Sequence, residues 1–303
     1  MRRAPPLETA PEVHDFDARI LRSWPLPQAD SDADKEDRGR VLIVAGSREL
    51  PGAALLAATA ALRAGAGKLT VATAQSVAIG LALALPEARV IGLPEGSEGG
   101  LTAAGVDQLA GLAARSQSVL MGPGLMQPEC SCAFVRDMLG HLVHVPVILD
   151  ALAMDVVLSE PYLSGAGFAQ PILMTPHAGE MAHLTPQTKD EVQADPLQSA
   201  CEAAARLNAV VVLKGATTLI ASPDGQVLRH RAGNASLATS GSGDVLAGLM
   251  AGLLARGIPL SQAAAWAVAL HAQAGKRLSQ RLGRLGSLAR EFADEVPALM
   301  HSL

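Results

Sequence analysis

The residues of this chain best suited to chemistry lie in a small, polar loop that runs directly into a helix. The stretch reads Asn234-Ala-Ser-Leu-Ala-Thr-Ser-Gly-Ser-Gly-Asp244-Val-Leu-Ala-Gly248. Gly241 and Gly243 allow a tight turn and a close approach of the backbone to a ligand. Free N–H groups and the positive end of the helix dipole would bind an anion there, with the Asp244 carboxylate in the first turn. The pattern fits chemistry on a phosphate donor and equally a plain helix cap, since a short motif of this kind has a real false-positive rate.

Glycines and polar residues also follow directly after several apolar segments that we predict to be strands. In a parallel sheet the carboxyl ends of the strands share one edge, and ligands bind at that edge. We therefore expect these residues to meet there, because random placement would not produce the coincidence. They are Gly46-Ser47-Arg48, Gly122-Pro-Gly124, Asp150, Thr175-Pro-His177-Ala-Gly-Glu180 and Lys214-Gly215-Ala-Thr-Thr218.

Each of these residues also has a purely structural alternative. Gly122-Pro-Gly124 could be a tight turn, although its place after a buried strand favours close approach to a ligand. Asp150 could cap the helix that follows it, and His177 could be a structural hydrogen-bonding residue, although its place at the functional edge favours a site role. Lys214 follows four apolar residues and would be costly to bury without an anionic partner, which favours a position near phosphate. We assign His271, inside a helical pattern, to the core or the surface.

The elements that would position these residues alternate as expected for an α/β fold. Short, continuous apolar runs are typical of strands buried on both faces of a mostly parallel sheet, with Ala/Leu-rich helices between them. We therefore predict a three-layer α/β/α architecture. The predicted strands are 41–44, 68–72, 88–92, 118–121, 146–149, 172–174 and 210–213, and the predicted helices include 53–64, 102–115, 245–256 and 261–281.

Two local patterns add structural predictions. Segments 217–221 and 226–230 are split by Pro223-Asp-Gly225, which predicts a hairpin at one edge of the sheet. Gly248 and Gly252 stand four residues apart on one face of a predicted helix, a spacing that predicts close packing against another helix.

Composition narrows the classes of function. The chain has 303 residues, of which 49% are hydrophobic, enough for a large core in one domain. A net charge of -5 and only 2% aromatic residues argue against nucleic-acid binding. We find no signal-peptide pattern and no apolar run long enough for a membrane span. Cys130, Cys132 and Cys201 lack zinc-site spacing, so we predict reduced thiols in a cytoplasmic protein.

The beginning of the chain differs from the remainder. Residues 1–37 carry prolines at positions 5, 6, 11, 25 and 27 and then an acidic run at 30–34. We predict an arm with one short helix near 17–23, followed by a flexible linker, and a single domain over residues 38–303. The arm could reach a neighbouring subunit or be a solvated tail.

Taken in order, these motifs resemble the ribokinase-like superfamily and, more narrowly, the ADP/ATP-dependent NAD(P)H-hydrate dehydratase family. The similarity covers roughly residues 34–303. The Thr-Pro-His-x-Gly-Glu segment together with the Gly-Ser-Gly-Asp loop is fairly specific to that family, because related vitamin-precursor and sugar kinases usually lack the first segment. The matching segments are Gly39-Arg-Val-Leu-Ile-Val-Ala-Gly-Ser47, Pro51-Gly-Ala-Ala54, Ala64-Gly-Ala-Gly67, Gly122-Pro-Gly124, Thr175-Pro-His-Ala-Gly-Glu180, Lys214-Gly-Ala-Thr-Thr218 and Gly241-Ser-Gly-Asp-Val-Leu-Ala-Gly248.

The resemblance implies repair of a damaged cofactor. NAD(P)HX is NAD(P)H hydrated across the nicotinamide 5,6 double bond, and the family uses ADP or ATP to convert the added hydroxyl into a phosphate ester that then eliminates. Hydroxide is a poor leaving group and phosphate is a good one, so a kinase fold performs a net lyase reaction. Mg²⁺ would enter mainly with the nucleotide.

The resemblance also implies a role for each matching residue. Asp244 would activate the hydroxyl of the hydrate, and the N–H groups of the preceding loop would hold the transferring charge. The implied nucleotide site consists of Lys214, Gly215, Ala216, Thr217, Thr218, Gly241, Ser242 and Gly243, and the implied NAD(P)HX site consists of Ala53, Gly124, His177 and Asp244. The family resemblance and an Ala/Leu-rich surface together predict a homo-oligomer, most simply a tetramer.

The chain departs from the family pattern after its central strand. It reads Asp150-Ala-Leu152-Ala-Met-Asp155 where the family often has Asp-Ala-Asp-Ala-x-Asn, so position 152 has no carboxylate for a metal. Two other functions remain open at this stage. One is a small-molecule kinase of the hydroxymethylpyrimidine or hydroxyethylthiazole type, and the other is a degenerate nucleotide-binding module. Preference between ADP and ATP, and between NADHX and NADPHX, does not follow from the sequence.

Overall fold

A single ten-stranded sheet organises the computed structural model, which describes residues 12–27, 34–231 and 233–302. Buried β-branched and aliphatic runs form its central strands, as the sequence predicts. The strands are β1 (Glu12–Asp15), β2 (Arg40–Val44), β3 (Lys68–Ala74), β4 (Arg89–Leu93), β5 (Ser118–Met121), β6 (Val147–Leu149), β7 (Ile172–Met174), β8 (Val210–Leu213), β9 (Thr218–Ala221) and β10 (Gln226–His230).

Helices cover both faces of this sheet. Short 3₁₀ segments at Ala103–Gly105, Ala151–Leu158, Tyr162–Ser164 and Ala235–Leu237 join some of them to the strands. The α-helices of the described residues are α1 (Ala18–Ser23), α2 (Pro51–Arg63), α3 (Ala78–Ala84), α4 (Val106–Ala113), α5 (Pro128–Leu139), α6 (Ala178–Leu184), α7 (Lys189–Ala194), α8 (Pro196–Leu207), α9 (Ser242–Ala255), α10 (Leu260–Leu282) and α11 (Ala289–Ser302).

Successive strand residues point into different helical layers, as the two-residue period of a strand requires. In β2, Val41 and Ile43 pack with the apolar residues of α2, α9, α10 and α11. Leu42 and Val44 pack with those of α4 and α5 on the other face. The predicted three-layer α/β/α fold is therefore confirmed.

The strand order contains one reversal, which matters for the position of the site. Across the sheet the order is β1-β10-β9-β8-β7-β6-β5-β2-β3-β4, and the strands β2 to β8 run parallel to one another. The chain builds outward from β2 to β4 and then returns to place β5 on the other side of β2. The gap between β2 and β5 is thus a topological switch point, where open α/β sheets bind ligands.

The predicted hairpin forms, but its predicted place at the edge is wrong. β9 runs antiparallel to both β8 and β10. The N-terminal strand β1 then pairs in parallel with β10 and takes the edge position. The predicted short helix of the arm is α1, with the Asp17 side chain accepting hydrogen bonds from the first-turn N–H groups. Part of the predicted linker, residues 28–33, and prolines 5, 6 and 11 lie outside the described residues.

Two α-helices start three or more residues away from the predicted position. The segment predicted as one helix over 102–115 begins with the 3₁₀ turn and becomes α-helical only at Val106, since first turns often tighten in this way. Helix α9 begins at Ser242, three residues before the predicted start, because Gly241 adopts a left-handed φ of 86° and serves as its N-cap. In the part of the chain that the structure describes, no helix is long and apolar enough to cross a bilayer.

The predicted close packing at Gly248 and Gly252 is confirmed. A Cβ atom built on Gly248 would lie 2.1 Å from the carbonyl oxygen of Ala57, and one on Gly252 would lie 2.4 Å from that of Ala61. Both carbonyl oxygens belong to α2. Because α9 has glycines at these two positions, its backbone can lie in direct contact with the backbone of α2. This contact fixes α9, and the loop at its start, against the centre of the molecule.

Candidate active site

The start of α9 forms the rigid side of a cleft at the carboxyl edge of the sheet. Gly241 accepts a backbone hydrogen bond from Val245 N at 3.2 Å, and a Cβ atom at Gly241 would lie 2.5 Å from Leu56 Cδ1 of α2. No side chain caps α9, and Ser242 N donates to Thr239 O at 3.2 Å, so the free N–H groups of the first turn are those of the next residues, Gly243 and Asp244. A helix terminus with these free donors and a glycine-lined approach is suited to bind an anion.

Asp244 lies half-buried in the first turn of α9, as predicted. The pKa of its carboxyl group is raised to about 6; burial is the largest cause, the negative charge of Asp150 adds to it, and the ammonium of Lys214 opposes both effects. A carboxylate with this pKa is a better base than an ordinary aspartate near neutral pH. The geometry and the raised pKa together fit a general base.

Lys214 follows β8 and is surrounded by carboxylates. Its Nζ lies 3.4 Å from Asp150 Oδ1 and 3.6 Å from Glu180 Oε2. Burial disfavours the ammonium, but Asp150 and Glu180 outweigh that effect, and the net result raises the pKa of Lys214 above its ordinary value. These anionic partners explain how a lysine after four buried residues can remain charged. Because a Cβ atom at Gly243 would lie 3.6 Å from Lys214 Nζ, the cation faces the start of α9.

His177 opens α6 at the neighbouring strand. Its Nδ1 accepts a hydrogen bond from Glu180 N at 3.0 Å, and Glu180 Oε2 accepts one from His177 N at 2.7 Å, which forms a capping box. His177 also forms an isolated parallel bridge with Lys214, and Lys214 N donates to Pro176 O at 2.8 Å. His177 is therefore a structural hydrogen-bonding residue at the start of α6, which was the alternative to a role in the site. It also lines the cleft.

The cleft holds about 920 Å³, a volume suited to a nucleotide or a similar ligand. It brings together residues that the sequence places far apart. Of the predicted site residues, those that line it are His177, Lys214, Gly215, Ala216, Thr218, Gly241, Ser242, Gly243 and Asp244. Thr217, Ala53 and Gly124 are not among its lining residues.

Ala53 and Gly124 instead meet each other at the topological switch point. Gly124 has a φ of 65°, and a Cβ atom there would lie 2.7 Å from Ala53 Cβ and 2.7 Å from Leu50 O. Gly46 N donates to Pro123 O at 2.7 Å, which joins the ends of β2 and β5. Helix α2 links this pair to the cleft, because it contains Ala53 and, one turn later, the Leu56 side chain beside Gly241.

Asp150 belongs to the site more clearly than the sequence indicates. It stands at the N-cap position of the 3₁₀ helix 151–158, but its side chain makes no capping hydrogen bond. Its Oδ1 accepts a hydrogen bond from Thr175 Oγ1 and faces Lys214. Its position directly after a buried strand was the only signal for this role.

Sequence reasoning missed His271 and His230 as cleft residues. His271 lies in α10, where Ser242 Oγ and His271 Nε2 are 3.0 Å apart, and Phe292 meets its ring edge-on at a centroid distance of 5.4 Å. Burial lowers the pKa of His271 to about 4, and the Lys214 charge acts in the same direction. A neutral histidine thus holds the hydroxyl of the glycine-rich loop. No local pattern distinguishes such a histidine from any other buried residue of a helix.

The described residues do not fit a magnesium site made by the protein alone. Within the described ranges, no group of three or more His, Cys, Asp or Glu side chains is arranged to hold a metal ion. Leu152 is partly buried against the apolar layer of α4 and α5, and Asp155 faces His183 Nε2 at 3.3 Å. Mg²⁺ prefers octahedral oxygen coordination, much of it from water and phosphates. Any magnesium ion bound here would therefore be held largely by the phosphates of the nucleotide and by water.

Comparisons with known proteins agree with this geometry. The sequence model of the NAD(P)H-hydrate dehydratase family matches residues 41–298. An ADP-dependent (S)-NAD(P)H-hydrate dehydratase of Xanthomonas campestris pv. campestris is 45% identical over 295 residues, which cover 97% of this chain and 99% of that one. The ADP/ATP-dependent NAD(P)H-hydrate dehydratase from Bacillus subtilis, co-crystallised with ATP/Mg²⁺, has a TM-score of 0.79 at 30% identity, covering 98% and 99%. A ribokinase-like superfamily protein from Enterococcus faecalis has a TM-score of 0.82 at 26% identity, covering 96% of each chain.

Proposed function

Because this chain belongs to the NAD(P)H-hydrate dehydratase family, we propose that it dehydrates (6S)-NAD(P)HX to NAD(P)H with ADP or ATP as co-substrate, through a phosphorylated intermediate. The net reaction is that of a lyase. The observation that carries the proposal is the meeting of Asp244 and Lys214 at the open start of α9, in one cleft. There a base, a cation and free N–H donors face the same space.

The reaction divides into two balanced steps. In the first, Asp244 accepts the proton of the hydrate's hydroxyl as its oxygen attacks the terminal phosphorus of the nucleotide. The bond from that phosphorus to the bridging oxygen breaks, and the shortened nucleotide leaves. Free N–H groups of the glycine-rich loop and the first turn of α9, such as that of Gly243, stabilise the charge on the transferring phosphoryl group, because they are already oriented before the reaction.

In the second step phosphate leaves the nicotinamide ring. The carbon–oxygen bond breaks with its electron pair on phosphate, and loss of a proton from the adjacent ring carbon restores the 5,6 double bond. Phosphate leaves far more readily than hydroxide, which is the reason for coupling the dehydration to a nucleotide. Lys214 remains close to the phosphate oxygens as a point charge.

The two ligands divide the site residues between them. We propose that the adenine nucleotide contacts Lys214 to Thr218 and the loop Gly241 to Gly243. The hydrated cofactor then extends toward the switch point and contacts His177, Gly124 and Ala53, with its hydroxyl at Asp244. The position of α2, which connects the switch point with Gly241, supports this division. Mg²⁺ enters with the nucleotide, since no group of three or more His, Cys, Asp or Glu side chains among the described residues is arranged to hold a metal ion.

The experiment follows the recovery of NADPH. Protein, NADPHX and Mg²⁺ are mixed with ADP or ATP, and the absorbance at 340 nm is recorded. We expect NADPH and free phosphate with at least one nucleotide. A stable phosphorylated alcohol without NADPH would instead identify a small-molecule kinase, and no reaction of either kind would identify a nucleotide-binding module.

Asp244→Asn is the decisive variant in the same assay. The amide keeps the shape of the side chain but cannot accept the proton, so turnover should fall by about 10²–10⁴ while nucleotide binding persists. Asp190→Asn is the matched control, because Asp190 also stands in the first turn of a helix, α7, but away from the cleft. A near-normal kcat in Asp244→Asn would show that Asp244 is not the base of this reaction.

We further propose that the protein is a cytoplasmic homotetramer. Cys130, Cys132 and Cys201 are all free thiols, which supports a reducing compartment. Apolar side chains that remain exposed on the single chain, such as Ile79 and Leu83, support an assembly that covers them.

A further inference from the structure

The described part of the N-terminal arm, residues 12–27, begins with a segment that is hydrogen-bonded to β10. The strand β1 pairs with β10 along its whole length. The carboxylate of Asp15 accepts two hydrogen bonds from Arg229, at 2.6 and 2.9 Å, and one from Arg231 at 3.4 Å. Phe16 N donates to Arg229 O at 3.0 Å. These contacts fix the last residues of β10, which lead directly into the wall of the cleft.

Phe16 supports a residue that lines the cleft. Its ring lies 4.9 Å from the ring of His230, centroid to centroid, at an interplanar angle of 40°. Both side chains are buried, with 4% and 8% exposed. His230 is opposite Thr218 in the β9–β10 register, and both residues line the cleft beside Lys214. Phe16 therefore lies behind the cleft wall and restricts the position of the His230 ring.

The arm also contacts the opposite wall. The carbonyl oxygen of Trp24 accepts hydrogen bonds from Trp266 Nε1 at 2.9 Å and from Gln262 Nε2 at 3.0 Å. Both donors lie in α10, and the following turns of this helix contribute Val268, His271 and Ala272 to the cleft. One continuous segment thus connects β10 and α10, the two elements that border the cleft beyond the glycine-rich loop.

We propose that Phe16 of the N-terminal arm and His230 are positioning residues for the nucleotide site, which set the relation of β10 to α10. The inference rests on the proposed function, because it assigns this end of the cleft to the adenine nucleotide. The sequence model of the family matches only from residue 41, so the arm adds to the site from outside the matched region. A preorganised wall binds a ligand more tightly because less ordering is required on binding.

The test compares two variants of the arm in the full-length protein. Phe16→Leu keeps an apolar side chain but removes the ring contact with His230, whereas Leu21→Val changes another fully buried arm residue that lies in the core. Titration calorimetry with ADP and with ATP gives the nucleotide Kd, and thermal melting gives the stability. We expect Phe16→Leu to raise the nucleotide Kd about two- to tenfold, the range expected for losing one aromatic pair. Leu21→Val should lower the melting temperature without changing the Kd.

Steady-state kinetics supply the second readout. A positioning role at the nucleotide end predicts a higher KM for nucleotide in Phe16→Leu, with kcat at saturating nucleotide and the KM for NADPHX close to wild type. If Phe16→Leu fails to fold, Asp15→Asn replaces it, because this exposed change removes the ion pairs to Arg229 and Arg231 and should shift the nucleotide Kd in the same direction.

Two results would overturn the inference: an unchanged nucleotide Kd in Phe16→Leu, or an equal rise of the Kd in Leu21→Val, which would show a general loss of stability. Failure of the proposed function looks different. Wild-type protein that binds ADP but produces no NADPH would refute the dehydratase reaction, while the nucleotide titrations would still decide the role of the arm. Wild-type protein that binds neither nucleotide would refute both.

Discussion

Asp244 can accept a proton only as a carboxylate, and its surroundings place that ionisation close to neutral pH. Burial is the larger cause of the raised pKa of about 6, and the charge of Asp150 is the next. A base with a pKa near the working pH combines useful basicity with a sufficient ionised fraction. On this basis we predict that the acid limb of kcat/KM reports Asp244 and that activity falls as the pH decreases through about 6.

The neighbour of this base gives a prediction at the residue scale. Asp150→Asn removes a negative charge that raises the pKa of Asp244, so that pKa should fall and the acid limb of kcat/KM should move to lower pH. It also leaves Lys214 with fewer counter-charges, which acts in the same direction. The measurement is the pH profile of kcat/KM, with Asp155→Asn as the control because Asp155 pairs with His183 instead. An unchanged acid limb would show that Asp150 does not tune the base.

Lys214 gives a second prediction. Lys214→Ala removes the cation at the start of α9, so binding of ADP or ATP should weaken more than binding of NADPHX, because a polyphosphate carries more charge close to this position. Calorimetry with each ligand measures the difference, and Lys276→Ala, an exposed lysine in α10, is the matched control. Equal losses for both ligands would mean that Lys214 acts mainly by neutralising Asp150 and Glu180.

At the scale of elements, two structural requirements constrain the sequence of α9. Its start presents the anion-binding loop, and its middle lies in direct backbone contact with α2. Gly248 and Gly252 do not belong to the anion-binding loop. They nevertheless determine the position of the first turn of α9, because they allow the contact that fixes α9 against α2. Because α2 also contains Ala53, the same contact sets the distance between the two halves of the proposed site.

This contact can be tested by adding one methyl group. In Gly248→Ala the new Cβ would lie 2.1 Å from Ala57 O, a backbone atom that cannot move away easily. We expect a loss of about 1–3 kcal/mol in the free energy of unfolding, the usual cost of overpacking. Gly111→Ala is the matched control, since no atom lies within 4 Å of its Cβ position in α4, and it should be stabilising by about 0.5–1 kcal/mol. Chemical denaturation measures both, and similar changes in the two variants would contradict the packing argument.

At the scale of the whole molecule, the prediction concerns assembly. Ile79 and Leu83, on the outer face of α3, are 75% and 81% exposed in the single chain, and Leu285 is 80% exposed. Apolar side chains of this size are covered in many homo-oligomers. Light scattering over a range of concentrations should give the mass of a tetramer, and Leu83→Lys should reduce that mass if α3 lies at an interface. A monomer at every concentration would remove the tetramer from the proposal.

The sequence by itself determined the layers of the fold and the composition of the glycine-rich loop. Segments Ser118–Met121, Ile172–Met174 and Val210–Leu213 are strands with the bounds predicted, because an uninterrupted apolar run that ends in glycine or a polar residue is a local signal. The position of Asp244 in a first turn is equally local, since Gly241 terminates the loop through its own backbone conformation. Parallel strands then place the polar residues at one edge without further information.

Only the tertiary structure decided which of those residues touch. Asp150 and Lys214 are 64 positions apart, and they meet because the sheet order places only β7 between the strands that they follow. The distance between Ser242 and His271 depends in the same way on the packing of α10 against α9. From the sequence, the arm could be a solvated tail, because a four-residue strand with mostly exposed side chains has no apolar signal. Its place beside β10 follows from backbone pairing and from the ion pairs of Asp15 with Arg229 and Arg231. Local signals depend on neighbouring residues, whereas these contacts depend on the order of strands and helices in space, which no single segment encodes.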